Sequence, residues 1–200
     1  MSEISTEERK RLLRAAAISQ RQRLAVEDSA AWSRCIQDTV VRFPPYLSAP
    51  KVILYHPFRG EVDTRLIRDN ALRTRKVVFY PNPERTGSPE LIQTEGGDVS
   101  AEDRAIGAAP VGSSLSGAGP FLIIVPGLLF DDRGNRLGRG RGWYDRLLSD
   151  AKVNGISLAL AYEFQIGDEV PVEEWDRPVD YIVTERRTID CARKRSSLAS

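Results

Sequence analysis

The chain is poor in the residues that usually announce a catalytic centre. Its 200 residues hold one histidine, one methionine and two cysteines. Cys35 and Cys191 cannot form a disulfide framework, so a reducing compartment is expected. With His56 as the single histidine, no Ser/His/Asp set stands out. An excess of one charge is missing too. Twenty-nine basic and 28 acidic residues leave a formal charge of +1, which gives no bulk electrostatic case for nucleic acid or a membrane surface. Aromatics at 8% also argue against an RNA-binding module, even with an RGRG run in the sequence. No apolar run approaches membrane-spanning length, and Met1–Gln20 is charged and periodic where a signal peptide would be apolar. These absences leave the cytoplasm as the expected location. With no repeat and no linker, residues 1–185 are expected to form one domain and 186–200 a disordered basic tail. No partner chain is called for, and a monomer is expected.

What is present concentrates in residues 121–148, FLIIVPGLLFDDRGNRLGRGRGWYDRLL. Phe121–Val125 is a continuous apolar, β-branched run, the pattern of a strand buried on both faces. Pro126-Gly127 ends it. After a loop with Asp131, Asp132 and Gly134 come Arg136, Leu137, Gly138, Arg139, Gly140, Arg141 and Gly142. From Trp143 the apolar spacing turns helical, with Leu147, Leu148 and Ala151 on the same face. Strand, glycine loop and helix together predict a phosphate site. Glycines turn backbone N–H groups inward, the helix N-terminus adds partial positive charge, and Arg136, Arg139 and Arg141 supply forked donors. Asp145, in the first helical turn, is a candidate magnesium ligand. Two other phosphate motifs are lacking. There is no GK[ST], and the G-x-G-x-G run follows a long loop where a Rossmann fingerprint would follow its strand directly.

The rest of the chain alternates strands and helices. Ser5–Glu8 reads as a capping box opening a helix, with Leu12, Leu13, Ala16 and Ala17 as its buried stripe. Lys10 and Arg14 lie one turn apart, and taken alone they are a solvated basic face. A second helix over about 27–43 stops at Pro44-Pro45. KVILY (51–55) and KVVFY (76–80) read as parallel strands. His56 stands in the loop after the first of them, and its plainest reading is a local hydrogen bond. Glu61–Thr64 opens another helix with Asp63 or Thr64 as N-cap. Leu91–Thr94 reads as a short edge strand and Ser113–Gly119 as a flexible segment. ISLALAY (156–162) and Tyr181–Thr184 complete the strands. The alternation predicts an α/β fold, a three-layer α/β/α sandwich around a mostly parallel sheet, with the glycine loop, Glu61 and Gln165 along one carboxyl edge.

Val125–Leu148 resembles the VPGLxFDxxGxRLGxGxGYYDxxL pattern of the 5-formyltetrahydrofolate cyclo-ligase family, with Trp143 where that family usually has tyrosine. KRLLR (10–14), GEVDT (60–64), the AYEFQ run ending at Gln165 and the VP…D…VD segment with Asp176 are similar to further motifs of the family. Asp176 by itself reads as a turn residue. The resemblance implies ATP- and Mg2+-dependent cyclisation of 5-formyltetrahydrofolate to 5,10-methenyltetrahydrofolate, with release of ADP and phosphate. It implies that Lys10, Arg14 and the Arg136–Tyr144 run bind ATP, with Arg139, Arg141 and Tyr144 at the reacting phosphate. It places His56, Glu61 and Gln165 on the reduced folate, Glu61 accepting from the pterin ring, and Asp145 and Asp176 on magnesium. Ala109-Pro110 departs from the family's acidic E-P pair. Residues 82–120 show no counterpart of its substrate-contacting Met/Phe segment, which leaves open a relative that keeps the ATP loop and takes another substrate.

Overall fold

The computed structural model describes residues 5–82, 89–94, 108–110, 120–150 and 155–198. Its helices are α1 (Thr6–Gln22), α2 (Val26–Val40), α3 (Pro44–Ser48), α4 (Arg65–Arg73), α5 (Trp143–Asp150) and α6 (Cys191–Leu198). Its strands are β1 (Lys51–Ile53), β2 (Val77–Pro81), β3 (Glu90–Thr94), β4 (Ala108–Pro110), β5 (Phe121–Val125), β6 (Leu129–Phe130), β7 (Arg136–Leu137), β8 (Gly155–Leu160), β9 (Tyr181–Val183) and β10 (Thr188–Asp190).

Eight strands form one sheet in the order β10-β9-β8-β5-β1-β2-β3-β4. The run from β9 through β8, β5 and β1 to β2 is parallel, and antiparallel strands lie outside it on both sides. β5 is buried at every position, as its unbroken apolar run requires. Alternate residues serve opposite faces. Leu122 and Ile124 pack with Ile36 and Val40 of α2 and with Ile67 and Ala71 of α4. Phe121, Ile123 and Val125 pack with Leu147 and Leu148 of α5 and with Cys191. Helices thus cover both faces, giving the three-layer α/β arrangement expected.

The strand order reverses between β1 and β5. The chain leaves β1 toward β2 on one side, whereas β5 leads to β8 and β9 on the other. Loops leaving two such adjacent strands splay apart and open a crevice, the usual ligand position in an open α/β sheet. Here those loops carry residues 56–61 and the segment that begins at Pro126.

Several local expectations are corrected. Residues 186–200, expected as a disordered tail, include β10, which pairs with β9, and the helix α6. The tail's polar composition hid Ile189 and Cys191, which supply the apolar anchor at 5% and 0% exposure. Pro44-Pro45 does more than stop a helix, because it forms the first turn of α3, where a missing N–H costs nothing. Leu91–Thr94 is a strand but not an edge, since β4 pairs outside it. On α1 the buried residues are Lys10 and Arg21, while Leu12 is 53% exposed. The helix turns its cations inward because it lies across loop carbonyls and carboxylates. Ala151 and Ser113–Gly119 fall outside the described residues.

Candidate active site

The segment leaving β5 is built tightly. A Cβ on Gly127 would come within 2.3 Å of the Phe130 ring, so the turn after Pro126 demands glycine. The chain then forms the β6–β7 hairpin, closed by Asp131. This aspartate is fully buried. Its Oδ1 accepts from the backbone N–H of Arg133 and Asn135 at 3.0 Å each, and its Oδ2 accepts from Asn135 Nδ2 at 2.8 Å and Val170 N–H at 3.1 Å. Asp131 therefore shapes the hairpin that delivers the glycine loop. Beyond β7, Gly140 and Gly142 take φ of +90° and +61°, left-handed conformations that let the chain fold back before α5 starts at Trp143.

Cations surround this loop, and most of them are already engaged. Arg14 donates from Nε to the Gly138 carbonyl at 3.2 Å and from Nη1 to Glu7 at 3.2 Å. Arg136 lies on β7 and donates from Nη2 to Asp145 Oδ1 at 2.9 Å. Its guanidinium carbon sits 5.8 Å from the Tyr144 ring centre, and its Nε is buried with no partner, a donor available to an anion. Arg139 donates from Nη2 to Glu61 Oε1 at 3.0 Å and to the Phe58 carbonyl at 3.3 Å, and its guanidinium covers the Phe58 ring at 4.9 Å. Arg141 is exposed at the lip of the loop. Lys10, almost fully buried, bonds Glu173 and Asp176 at 2.6 Å each. Burial alone would lower its ammonium, but the two carboxylates hold it above the ordinary lysine value.

Tyr144 belongs to the same cluster. Burial pushes its hydroxyl far above the ordinary value, outweighing the nearby Arg136 charge. It is therefore a neutral donor at any physiological pH. Trp143 meets its ring edge-on at 4.9 Å, and Leu137 is buried on β7.

Across the crevice, Glu61 accepts from Phe58 N–H at 3.1 Å through Oε2, and its Oε1 lies 3.7 Å from Arg21 as well as beside Arg139. His56 is exposed and stacks on Tyr80, ring centres 4.1 Å apart and planes 13° from parallel. Thr64 occupies the N-cap position of α4 but makes no capping bond. Its hydroxyl donates to the Tyr55 carbonyl, and Asp63 instead accepts from Arg65 N–H. Gln165 differs from its sequence-based role. Its Nε2 donates to the Gly127 and Leu128 carbonyls and its Oε1 accepts from Tyr162 N–H, so at 3% exposure the whole amide is spent on backbone. It clamps the turn after β5, with both amide hydrogens given to carbonyls.

Among the described residues no three His, Cys, Asp or Glu side chains converge on a point where a metal would bind. Asp145 uses Oδ1 twice, for Arg136 and for Arg177 N–H at 3.2 Å, and keeps Oδ2 clear of those bonds. Magnesium ordinarily retains waters and takes phosphate oxygens beside one or two carboxylates. One available oxygen at the mouth of a glycine loop fits that habit. Asp176 is tied through Oδ2 to Lys10 and to Glu173 N–H.

Arg21 and Glu173 join the site beyond the residues that the sequence motifs single out. Arg21 continues the helical stripe of Lys10 and Arg14, and that shared spacing was the available signal. Glu173 had no signal beyond its closeness to Asp176.

The sequence pattern of the 5-formyltetrahydrofolate cyclo-ligase family matches residues 6–185. The 5-formyltetrahydrofolate cyclo-ligase of Mus musculus is 29% identical over 209 residues, covering 92% of this chain and 98% of that one. That of Escherichia coli K12 is 29% identical over 174 residues, covering 84% and 96%. Among solved structures, the 5,10-methenyltetrahydrofolate synthetase of Aquifex aeolicus is similar with a TM-score of 0.73 at 30% identity, over 91% of this chain and 92% of that one.

Proposed function

We propose that this chain, which belongs to the 5-formyltetrahydrofolate cyclo-ligase family, converts 5-formyltetrahydrofolate to 5,10-methenyltetrahydrofolate at the expense of ATP, with release of ADP and phosphate. Membership makes it an enzyme of the ligase class. The observation that carries the reading is the meeting of two motifs far apart in sequence. Glu61 of GEVDT and Arg139 of the glycine loop stand 3.0 Å apart at the sheet's switch point. A pterin read by Glu61 would therefore lie within reach of a phosphate held by Arg139.

The chemistry asks for alignment and charge cancellation. The formyl oxygen attacks the γ-phosphate and displaces ADP, and N10 then captures the activated carbon, losing its proton as phosphate departs with the former formyl oxygen. Arg139 and Arg141 are placed to take charge on the transferred phosphoryl group, with Arg14 and Arg136 behind them. Loop N–H groups and the start of α5 add further donors. Tyr144 offers a neutral hydroxyl hydrogen to an oxygen of the site. Lys10 holds the 173–176 turn against α1 and keeps a positive charge beside the loop. On the folate side, Glu61 accepts from the pterin's amine and ring N–H, and His56 with Tyr80 presents a flat stacked edge. Asp145, with Asp176 nearby in the 173–177 turn, would hold magnesium, which supplies neutralising charge on the phosphates when bound. Gln165 keeps the Gly127–Leu128 turn in shape.

We place the reaction in the cytoplasm, with a monomer acting on two small molecules and no nucleic acid or membrane engaged. No helix among the described residues is long and apolar enough to cross a membrane. We take one cyclo-ligase domain to extend past residue 185 through α6. The deciding experiment follows absorbance as 5-formyltetrahydrofolate is supplied with ATP and magnesium, and with each omitted in turn. Methenyl product only in the complete mixture supports the proposal. No product in any mixture defeats it.

A further inference from the structure

Arg21 is a buried guanidinium placed where two loops meet. It sits in the last turn of α1 with its side chain only 3% exposed. Its Nη1 donates to the Gly127 carbonyl, at the exit of β5, at 3.3 Å. Its Nη2 lies 3.7 Å from Glu61 Oε1, at the exit of β1. The stem runs beneath Gly60, where a Cβ would meet Arg21 Cγ at 3.5 Å. Burial lowers the guanidinium from its ordinary value; Glu61 opposes that effect and Arg139 adds to it. A charge carried at that cost calls for a partner that needs it.

The partner is Glu61, whose side chain is only 9% exposed. Two cations attend it, and they differ in freedom. Arg21 is locked in place, whereas Arg139 is 37% exposed on a glycine loop. Phosphate oxygens arriving in that loop compete for Arg139. When they win it, Arg21 is the guanidinium that stays on Glu61 among the described residues. A buried carboxylate stripped of both would be badly placed to greet a pterin.

We propose that Arg21 is a positioning residue for the folate end of the reaction: it holds Glu61 aimed while the nucleotide occupies Arg139. The proposal rests on the assignment of Glu61 to folate and of the glycine loop to ATP. It explains how one carboxylate can touch the phosphate-loop arginine in the free protein and still serve the second substrate. With Arg21 present, filling one site does not disarm the other. Without it, Arg139 must serve Glu61 and phosphate at once, and the two ligands become antagonists. Linkage makes that antagonism reciprocal.

The test measures the dissociation constant of 5-formyltetrahydrofolate by fluorescence titration, with and without a non-hydrolysable ATP analogue. In the wild type the analogue should leave folate affinity unchanged or improve it. In Arg21→Met the analogue should weaken folate by about fivefold or more, a coupling of ordinary size. Folate should weaken the analogue by the same factor. Arg21→Lys, which keeps the charge, should restore most of the wild-type behaviour. A purely structural arginine would lower the melting temperature and both affinities without creating antagonism. Equal ratios in wild type and Arg21→Met, with folate bound in both, overturn this inference alone. Absence of folate binding in the wild type, with or without the analogue, overturns the functional reading and the inference with it. If Arg21→Met does not fold, Arg21→Gln carries the same comparison, and failure of both variants to fold would make Arg21 a structural cation and end the proposal.

Discussion

Glu61 and Arg139 form an ion pair of 3.0 Å, joining the loop after β1 to the glycine loop before α5. The residue assigned to the folate and a residue assigned to the phosphates are thus each other's partners in the free protein. Whatever binds first must break or share that bond. Arg139 pays little to move, being partly exposed and, among the described residues, held by Glu61, the Phe58 carbonyl and the Phe58 ring.

The first expectation concerns Arg139 itself. Charge-assisted hydrogen bonds are worth ~1.5–3 kcal/mol each. Loss of one such contact in Arg139→Ala should lower kcat/KM for ATP by about tenfold or more. Steady-state rates at low ATP give the answer. Wild-type rates there would leave Arg139 as a surface partner of Glu61 and nothing else.

Gln165 should behave as a clamp. Its three backbone bonds join Tyr162 to the Gly127–Leu128 turn inside the protein. A buried hydrogen bond nets roughly 0.5–1.5 kcal/mol, so Gln165→Leu should cost about 2–4 kcal/mol in urea unfolding. In the variant that remains folded at low temperature, KM for folate should change little. A large rise in folate KM with unaltered unfolding would return Gln165 to the substrate site.

The two cysteines report on the C-terminal helix. Cys35 is exposed, whereas Cys191 opens α6 fully buried, and burial pushes its thiol up to about 12. At pH 8 its thiolate fraction is then on the order of one in ten thousand, too small for ready alkylation. Iodoacetamide should label a single thiol in the native protein and both in denaturant. Fast labelling of both in the native state would return residues 186–198 to a frayed tail. The same shift fixes a sign. The buried thiol contributes its stability in full below the ordinary value of 9.0, and that share is lost as pH rises toward 12.

Much of this was legible in the sequence because the residues concerned act locally. Phe121–Val125 had to be a doubly buried strand, and three glycines before an apolar stripe had to be a loop feeding a helix. The shared carboxyl edge of the glycine loop and Glu61 followed from alternation of strands and helices. Other features depend on what lies across the gap, which spacing does not encode. The polar Lys10 and Arg21 are buried on α1 while Leu12 is exposed, because carbonyls and carboxylates from residues 61, 127, 173 and 176 meet that face. Gln165 looked available only because the carbonyls that consume it come from a turn well separated in sequence. Asp131 reads in sequence as one loop residue among several, although it is the buried acceptor that closes the hairpin.

The last expectation separates the two halves of the site through Glu61→Gln. Glu61 uses Oε2 for Phe58 N–H and Oε1 for Arg139, with Arg21 just beyond. Glutamine keeps the shape but has one acceptor. If its oxygen stays on Phe58 N–H, its amide hydrogens point at two guanidinium groups and at the pterin's own donors, so every contact on that side turns from attraction to repulsion. Folate KM should rise by about tenfold or more, the scale of losing a charged acceptor in a buried site. The nucleotide should respond in the opposite sense. Arg139 no longer has a carboxylate holding it back, so ATP affinity should hold steady or tighten by a small factor. Separate titrations of the two substrates read both effects. A fall in both affinities together with a lower melting temperature would mark damage to the loop after β1. Unchanged folate turnover would remove Glu61 from pterin recognition, leaving its role as the carboxylate that parks Arg139.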